Sequence, residues 1–316
     1  MNRNNLLTGI IYCLIPVLAW GGMFPVMQVA LKTLDPFYFT TIRYIWAGLI
    51  LLGMLIAFEG KNALRLEGKS WKLFFFGAAG FSGFGFLTFV GQKLSGPSGA
   101  INASVIMALM PLLTTCVKWA VHKRKPNLST FISIFIALSG AMLVITNGDP
   151  SLIIQIKEHI GASLLIMLGA ICWVIYTMGG SQLVGWSPLR YTALTTCFGS
   201  LVNILIVLTA TVFGALTMPS AERIGSVWSE LLYMILIAGV LAVFTWNVGN
   251  KMLKPENGML FMNIVPVTTV TISALQGVEV GRLQLAGTFI VIIALVVSNL
   301  SQRRGKMQVN IQNDHS

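Results

Sequence analysis

Charge is what this chain has least of. Only 10% of its 316 residues are Asp, Glu, Lys or Arg, while 55% are hydrophobic. A soluble domain usually carries about 25% charged residues, so a water-covered globular fold is excluded. The acids are also poorly placed for chemistry inside a membrane. All ten (Asp35, Glu59, Glu67, Asp149, Glu158, Glu222, Glu230, Glu256, Glu279 and Asp314) fall outside the centres of the apolar stretches. His122, His159 and His315 lie in connectors or the tail. A hydrolase or intramembrane protease needs a nucleophile with a base, or a set of metal ligands, within mutual reach. No such set is visible, so the sequence predicts no enzyme, no metal and no cofactor. The four cysteines (Cys13, Cys116, Cys172, Cys197) stand singly, without metal or redox spacing, and read as small hydrophobes. No glycine-rich phosphate loop suggests an ATP-driven pump.

What the chain does have is apolar length. Ten stretches of roughly twenty apolar residues run from Leu6 to Leu300, and mean hydropathy is +0.80. A helix rises ~1.5 Å per residue and a bilayer core is ~30 Å thick, so each stretch suffices for one crossing. In lipid the backbone must satisfy its own hydrogen bonds, which a helix does within one segment. The expected spans are Leu6–Leu31, Pro36–Phe58, Trp71–Leu94, Ser98–Ala120 and Leu128–Thr146, then Ile160–Val184, Leu189–Phe213, Trp228–Leu253, Asn257–Gly277 and Leu283–Leu300. The fold class is therefore all-α, a polytopic membrane protein of ten transmembrane helices. The first stretch is longer than a signal peptide's apolar region and its basic flank is only Arg3, so it reads as a retained helix.

The net charge of +11 reflects topology rather than nucleic-acid binding. With a cytoplasmic N-terminus, fifteen lysines and arginines fall on the cytoplasmic side and five on the other, and only Arg43, inside the second span, is left unassigned. The positive-inside rule then puts both termini in the cytoplasm of a multi-pass cell-membrane protein.

An internal repeat accompanies these spans. Ala19-Trp20 is echoed by Cys172-Trp173, and Asp35-Pro36 by Ser187-Pro188. Gly91-Gln92-Lys93-Leu94 is echoed by Gly249-Asn250-Lys251-Met252, and Pro111 by Pro266. The echoes keep their order at offsets between 152 and 158. Each half has an odd number of spans, so the second is inserted upside down, as in secondary transporters with a central site between the halves. The expected domains are residues 6–146 and 160–300, the two inverted five-helix repeats, with a short cytoplasmic tail over 302–316.

These marks resemble the drug/metabolite transporter superfamily, in its EamA-type ten-helix branch. The resemblance rests on Trp20-Gly21, the Arg43-Tyr44 pair, Pro111 and Pro266, and Gly277-Val278-Glu279 after the ninth span. The first-half turn, His122-Lys123-Arg124-Lys125, lacks the corresponding Glu. The resemblance covers nearly the whole chain and implies transport of small metabolites, commonly export of amino acids or related compounds, with spans five and ten peripheral.

Residues that suit a solute cavity fall on helical faces. Trp246, Asn247, Asn250 and Lys254 share one side of span eight, Trp20, Phe24 and Gln28 one side of span one, and Trp173, Tyr176 and Thr177 one side of span six. Thr88, Gln92, Asn102 and Asn263 come from spans three, four and nine. Aromatic walls with a few amides are the usual make-up of a small-molecule pocket. Interface anchoring by Trp and helix gluing by amides remain open for the same residues. Arg43 also has two open readings, an outward-snorkelling structural role and an anion contact on the pathway.

The expected activity is secondary transport of a small amphipathic solute by alternating access, most simply export, without a buried carboxylate or histidine as proton relay. An antiporter of phosphorylated or nucleotide sugars would want several basic residues inside the spans, and a scaffold or receptor would not need paired cavity faces. Expected partners are the solute and the bilayer, with no nucleic acid; association as a homo-oligomer is left open.

Overall fold

The computed structural model describes residues 3–123 and 156–294, together with positions 132, 135, 136, 139, 140 and 143. Among these the fold is helical, with no strand. In chain order the long elements are α1 (Leu6–Ala30), α2 (Pro36–Glu59), α3 (Ser70–Leu94), α4 (Gly96–Ala108), α5 (Met110–Val121), α6 (Ile160–Gln182), α7 (Pro188–Val212), α8 (Trp228–Leu253), α9 (Met259–Leu275) and α10 (Arg282–Ala294). Six of them, α1, α2, α3, α6, α7 and α8, are long and apolar enough to cross a bilayer. The expected fourth span is the pair α4–α5, bent by 47°. The ninth and tenth correspond to the shorter helices α9 and α10. The fifth span, over 128–146, and the 302–316 tail lie outside the described residues, apart from the isolated positions noted. The multi-pass helical membrane architecture stands; among the described residues six helices are long and apolar enough to cross, or seven with the bent pair taken as one.

Local chemistry explains where the helices start and break. Asp35 caps α2 by accepting the Phe37 N–H at 2.9 Å, and Ser187 caps α7 by accepting the Arg190 N–H at 2.9 Å. Each is followed by a proline whose missing N–H costs nothing in a first turn. Pro111 cannot donate back to Met107, and the chain bends there, between α4 and α5. Pro266 sits likewise in the first α-helical turn after the tight stretch Met259–Asn263. Pro16 and Pro25 leave α1 unbroken.

Two helices contain wide π turns, Ala78–Gly83 in α3 and Tyr233–Leu241 in α8. Carbonyls within both accept from side chains of other helices. Asn203 Nδ2 donates to the Phe81 carbonyl at 3.4 Å, and Trp20 Nε1 to the Ala238 carbonyl at 3.1 Å. Glycine brings the backbones together where α3 crosses α7: a Cβ on Gly77 would stand 2.9 Å from Gly199 N. This matches the small-residue packing expected of membrane helices.

α3 with α6, α2 with α7 and α1 with α8 are three of the four most extensive pairings, the other being α3 with α7. The first three each join an element before residue 123 to one after 156. Exchanging α1 with α6, α2 with α7 and α3 with α8 leaves that set unchanged. The centre is filled by large side chains, with Trp246, Arg43, Tyr44, Tyr176, Phe24 and Phe81 fully buried. Leu49, Leu201, Leu205, Phe289 and Ile293 face outward, as lipid requires.

Candidate functional site

Five of the eight tryptophans fall into two groups. Trp71 and Trp228 open their helices with 74% and 63% of their surface exposed, as interface anchors do. Trp20, Trp173 and Trp246 are at most 5% exposed and meet at the centre. Trp20 lies edge-on to Trp173 at 5.2 Å between ring centroids and to Trp246 at 5.3 Å. From Trp173 the rings continue through Tyr176 (5.0 Å) and Phe81 (5.0 Å) to Tyr44 (4.9 Å), while Tyr191 stacks on Tyr176 at 5.2 Å. Edge-on and offset pairs of this kind favour a fixed core. The tryptophans linked by the sequence repeat, Trp20 and Trp173, are thus in direct contact.

Beside this column lies a small central cavity of about 10 Å³, lined by Trp20, Met23, Phe24, Arg43, Tyr44, Phe84, Met107, Met110, Trp173 and neighbouring apolar groups. It has room for about one water. Arg43 is buried at this wall, 1% exposed, so the snorkelling reading fails. Packing against Met23 of α1 and Met234 of α8 holds its guanidinium inside the bundle, with Nη1 3.9 Å and 3.8 Å from the two sulfurs. Nη2 donates to the Tyr44 hydroxyl, and the guanidinium carbon stands 4.1 Å from the Tyr44 ring centroid and 5.1 Å from that of Phe89.

A second space of about 310 Å³ opens where α6 and α8 end and α7 begins, lined by Thr177, Gly180, Ser181, Tyr191, Asn247, Asn250, Lys251 and Lys254 among others. A wider groove of about 700 Å³ lies beside it, bounded by Trp71, Lys72, Phe75, Lys118, Met178 and Ser181. Trp246 and Tyr176 separate the vestibule from the central cavity, since each touches the lining of both. Trp246 Nε1 donates to Thr177 Oγ1 at 3.0 Å while its ring meets Trp20. Asn247 Nδ2 donates to the Tyr176 hydroxyl at 2.7 Å and to Thr192 Oγ1 at 2.8 Å, tying α8 to α6 and α7. Asn250 bonds only back along its own helix, to the Trp246 carbonyl at 2.8 Å, and its Oδ1 has no partner among the described residues.

At the opposite end amide side chains tie the helices together. Gln92 Nε2 donates to the Phe24 carbonyl at 2.8 Å and to Gln28 Oε1 at 3.0 Å, and Gln28 Nε2 donates to the Gly96 carbonyl at 2.8 Å. Lys93 and Asp35 add an exposed ion pair at 3.9 Å. Gln28 and Gln92 therefore join helices here and line none of the three spaces. Asn102 and Asn263 are buried but also outside those linings, each with an unpartnered Oδ1 among the described residues. Of the sequence-derived set, Trp20, Phe24, Arg43 and Trp173 surround the central cavity, Asn247 and Asn250 the vestibule, and Trp246 and Tyr176 the wall between.

Sequence reasoning missed the loop cluster beside the vestibule. Glu67 accepts from Trp186 Nε1 and Arg190 Nη2, both at 2.8 Å, and from Lys69 Nζ at 3.3 Å. The Arg190 guanidinium covers the Trp186 ring at 4.0 Å and also reaches the Arg65 carbonyl, and Lys251 donates to the Trp186 carbonyl at 2.9 Å. The Trp186 and Arg190 hydrogen bonds hold the Glu67 carboxyl down at about 2. Nothing in local spacing links residues 119 positions apart. Tyr44, by contrast, had a signal in the Arg43-Tyr44 pair.

The comparisons with known proteins agree with this architecture. The model of the EamA-like transporter family matches residues 7–146 and 160–300. The uncharacterized transporter YrdR of Bacillus subtilis is 39% identical over 304 residues, covering 96% of this chain and 95% of that one. YyaM of the same organism, also an uncharacterized transporter, is 30% identical with coverages of 88% and 89%. The uncharacterized inner membrane transporter YedA of Escherichia coli is 22% identical, with 90% and 88% covered. A solved crystal structure superposes with a TM-score of 0.69 at 18% identity, over 96% of this chain and all of that one, a likeness of fold.

Proposed function

Because the chain belongs to the EamA-like transporter family, we propose that it is a secondary transporter that exports a small amphipathic organic solute across the cell membrane by alternating access. The observation that carries this reading is the asymmetry of the bundle: a shared aromatic core, sealed on one side by Gln28 and Gln92 and reached on the other by an open vestibule. The exchange symmetry of the helix pairings and the matching π turns of α3 and α8 support two inverted repeats, over residues 6–146 and 160–300. With both termini cytoplasmic, the vestibule faces the cytoplasm, the loading side for an exporter. The fifteen-to-five split of basic residues supports that orientation.

In this mechanism the solute enters past Lys254 and Asn250 and displaces Trp246 and Tyr176 from their edge contacts. It then occupies the widened central cavity between Trp20 and Trp173. Separation of α1 from α3 within the first repeat then breaks the Gln28–Gln92 contacts as the vestibule closes. No Asp, Glu or His lines these spaces among the described residues, and exchange or downhill movement of the solute fits that lining.

A metabolite-resistance panel with a deletion strain and an overexpressing strain tests the function. Overexpression should raise resistance to one amphipathic metabolite or analogue and lower its cellular content, and deletion should do the reverse. Accumulation on overexpression would overturn export, and no effect of either strain across the panel would overturn transport of this solute class.

A further inference from the structure

The central cavity is chemically one-sided. Two residues of its lining, Arg43 and Trp173, each carry a donor, Nε and Nε1, with no partner among the described residues, although they are 1% and 2% exposed. A buried donor left unpaired costs about 1–3 kcal/mol, more for a charged group. No carboxylate among the described residues contributes to the lining. Arg43 is held without an acidic partner: aromatic faces and thioethers surround it, and the Tyr44 hydroxyl takes only Nη2. Cation–π contacts stabilise such a cation in part and leave its directional N–H groups unused.

We infer that Arg43 and Trp173 recognise the carboxylate of the transported solute, and that the solute is an organic acid with an apolar or aromatic body. This rests on the transporter reading above. One carboxylate accepts from a guanidinium N–H and an indole N–H together and neutralises the only charged group of the wall among the described residues. The rest of the lining is aromatic and thioether, and the flexible Met23, Met107, Met110 and Met262 let the space widen around the body. A single cation does not match a phosphate dianion. The wall also offers an α-ammonium no carboxylate, which favours an acid over the corresponding zwitterionic amino acid.

The test uses purified protein in detergent and three probes with one quenching ring: 4-nitrophenylacetic acid, 4-nitrophenylacetamide and 4-nitrophenylalanine. Quenching of tryptophan fluorescence near neutral pH should give the acid at least about a tenfold lower dissociation constant than the amide, the fold-change expected of a charge-assisted hydrogen bond. It should also bind tighter than the amino acid. Arg43→Gln should bring acid and amide to equal affinity, and Trp173→Phe should reduce the preference while keeping the ring. Equal binding of acid and amide by the native protein overturns the anion site and leaves the transporter reading intact. Equal binding of acid and amino acid overturns the choice of an acid over a zwitterion. Retained acid preference in folded Arg43→Gln removes Arg43 from it. No quenching by any probe overturns the cavity reading and the anion site together. The native comparison decides even where a variant fails to fold.

Discussion

The two ends of the bundle carry related sequences in opposite arrangements. At one end Gln28 of α1 and Gln92 of α3 bond to each other and across to neighbouring backbone. Their counterparts in the repeat, at the offsets of 153 and 158 that relate Trp20 to Trp173 and Gly91 to Gly249, are Ser181 and Asn250. Among the described residues these bond only within their own segments, Ser181 to the Met178 carbonyl and Asn250 to that of Trp246. A space of about 310 Å³ lies there. What differs is whether the terminal polar side chains reach across to the next helix or back along their own. A carrier built from inverted repeats needs that choice to be reversible and opposite at its two ends.

The strongest way to break the comparison is a covalent lock. In a background without the four native cysteines, Gln28→Cys with Gln92→Cys should form a disulfide quickly on oxidation, stop transport, and regain it on reduction. Ser181→Cys with Asn250→Cys should cross-link slowly, only as the vestibule closes during turnover. Equal rates at both ends would remove the asymmetry. A smaller effect is expected from Gln92→Leu, which deletes two interhelical hydrogen bonds. At about 0.6 kcal/mol each in a bilayer, the sealed state should lose population roughly sevenfold. Labelling of a cysteine placed at Ser98 by an impermeant reagent reads that shift. Asn250→Leu should leave resting exposure of both ends unchanged, because its amide bonds only to its own helix, while slowing transport at near-normal membrane abundance. Full activity in that variant would mean the amide has no part in closure.

The smallest effect concerns the loops beside the vestibule. Glu67 has its carboxyl lowered from 4.5 to about 2 by the Trp186 and Arg190 hydrogen bonds. A depressed carboxylate contributes stability that is fully present above its unfolded value and is lost as pH falls through the folded one. Protease resistance of the 60–69 loop should therefore be flat from pH 8 to about 5 and decline between about 4.5 and 2. Glu67→Gln should flatten that decline and change transport little at neutral pH. A decline beginning near pH 6 would contradict the assignment to Glu67.

Much of this architecture was legible as apolar length, because one crossing has a fixed cost in residues and each long helix pays it in uninterrupted hydrophobic sequence. The Trp20–Trp173 contact was legible too, from the echo of Ala19-Trp20 in Cys172-Trp173. The division of the candidate residues was not. Helical spacing puts Trp246, Asn247 and Asn250 on one face, but α8 reaches them through the π turn Tyr233–Leu241, which changes the phase of the face relative to α1. The burial of Arg43 depends on Met23 and Met234, each from a different helix, and depth along α2 carries no trace of them. Gln28 and Gln92 looked like cavity amides because their spacing fits a face; their use as a seal depends on the chain turning back at Gly96.

Paired spin-label distances across both ends test the central claim most directly. Labels at Lys32 and Pro97 report on the sealed end, and labels at Gln182 and Lys254 on the vestibule, all at exposed positions. The account predicts a short distance at the first pair and a long one at the second in the native protein. In Gln92→Leu the first should lengthen as the second shortens, by the same change in population. Lengthening at the sealed end with the vestibule distance unchanged would contradict alternating access around the Trp20–Trp173–Trp246 core.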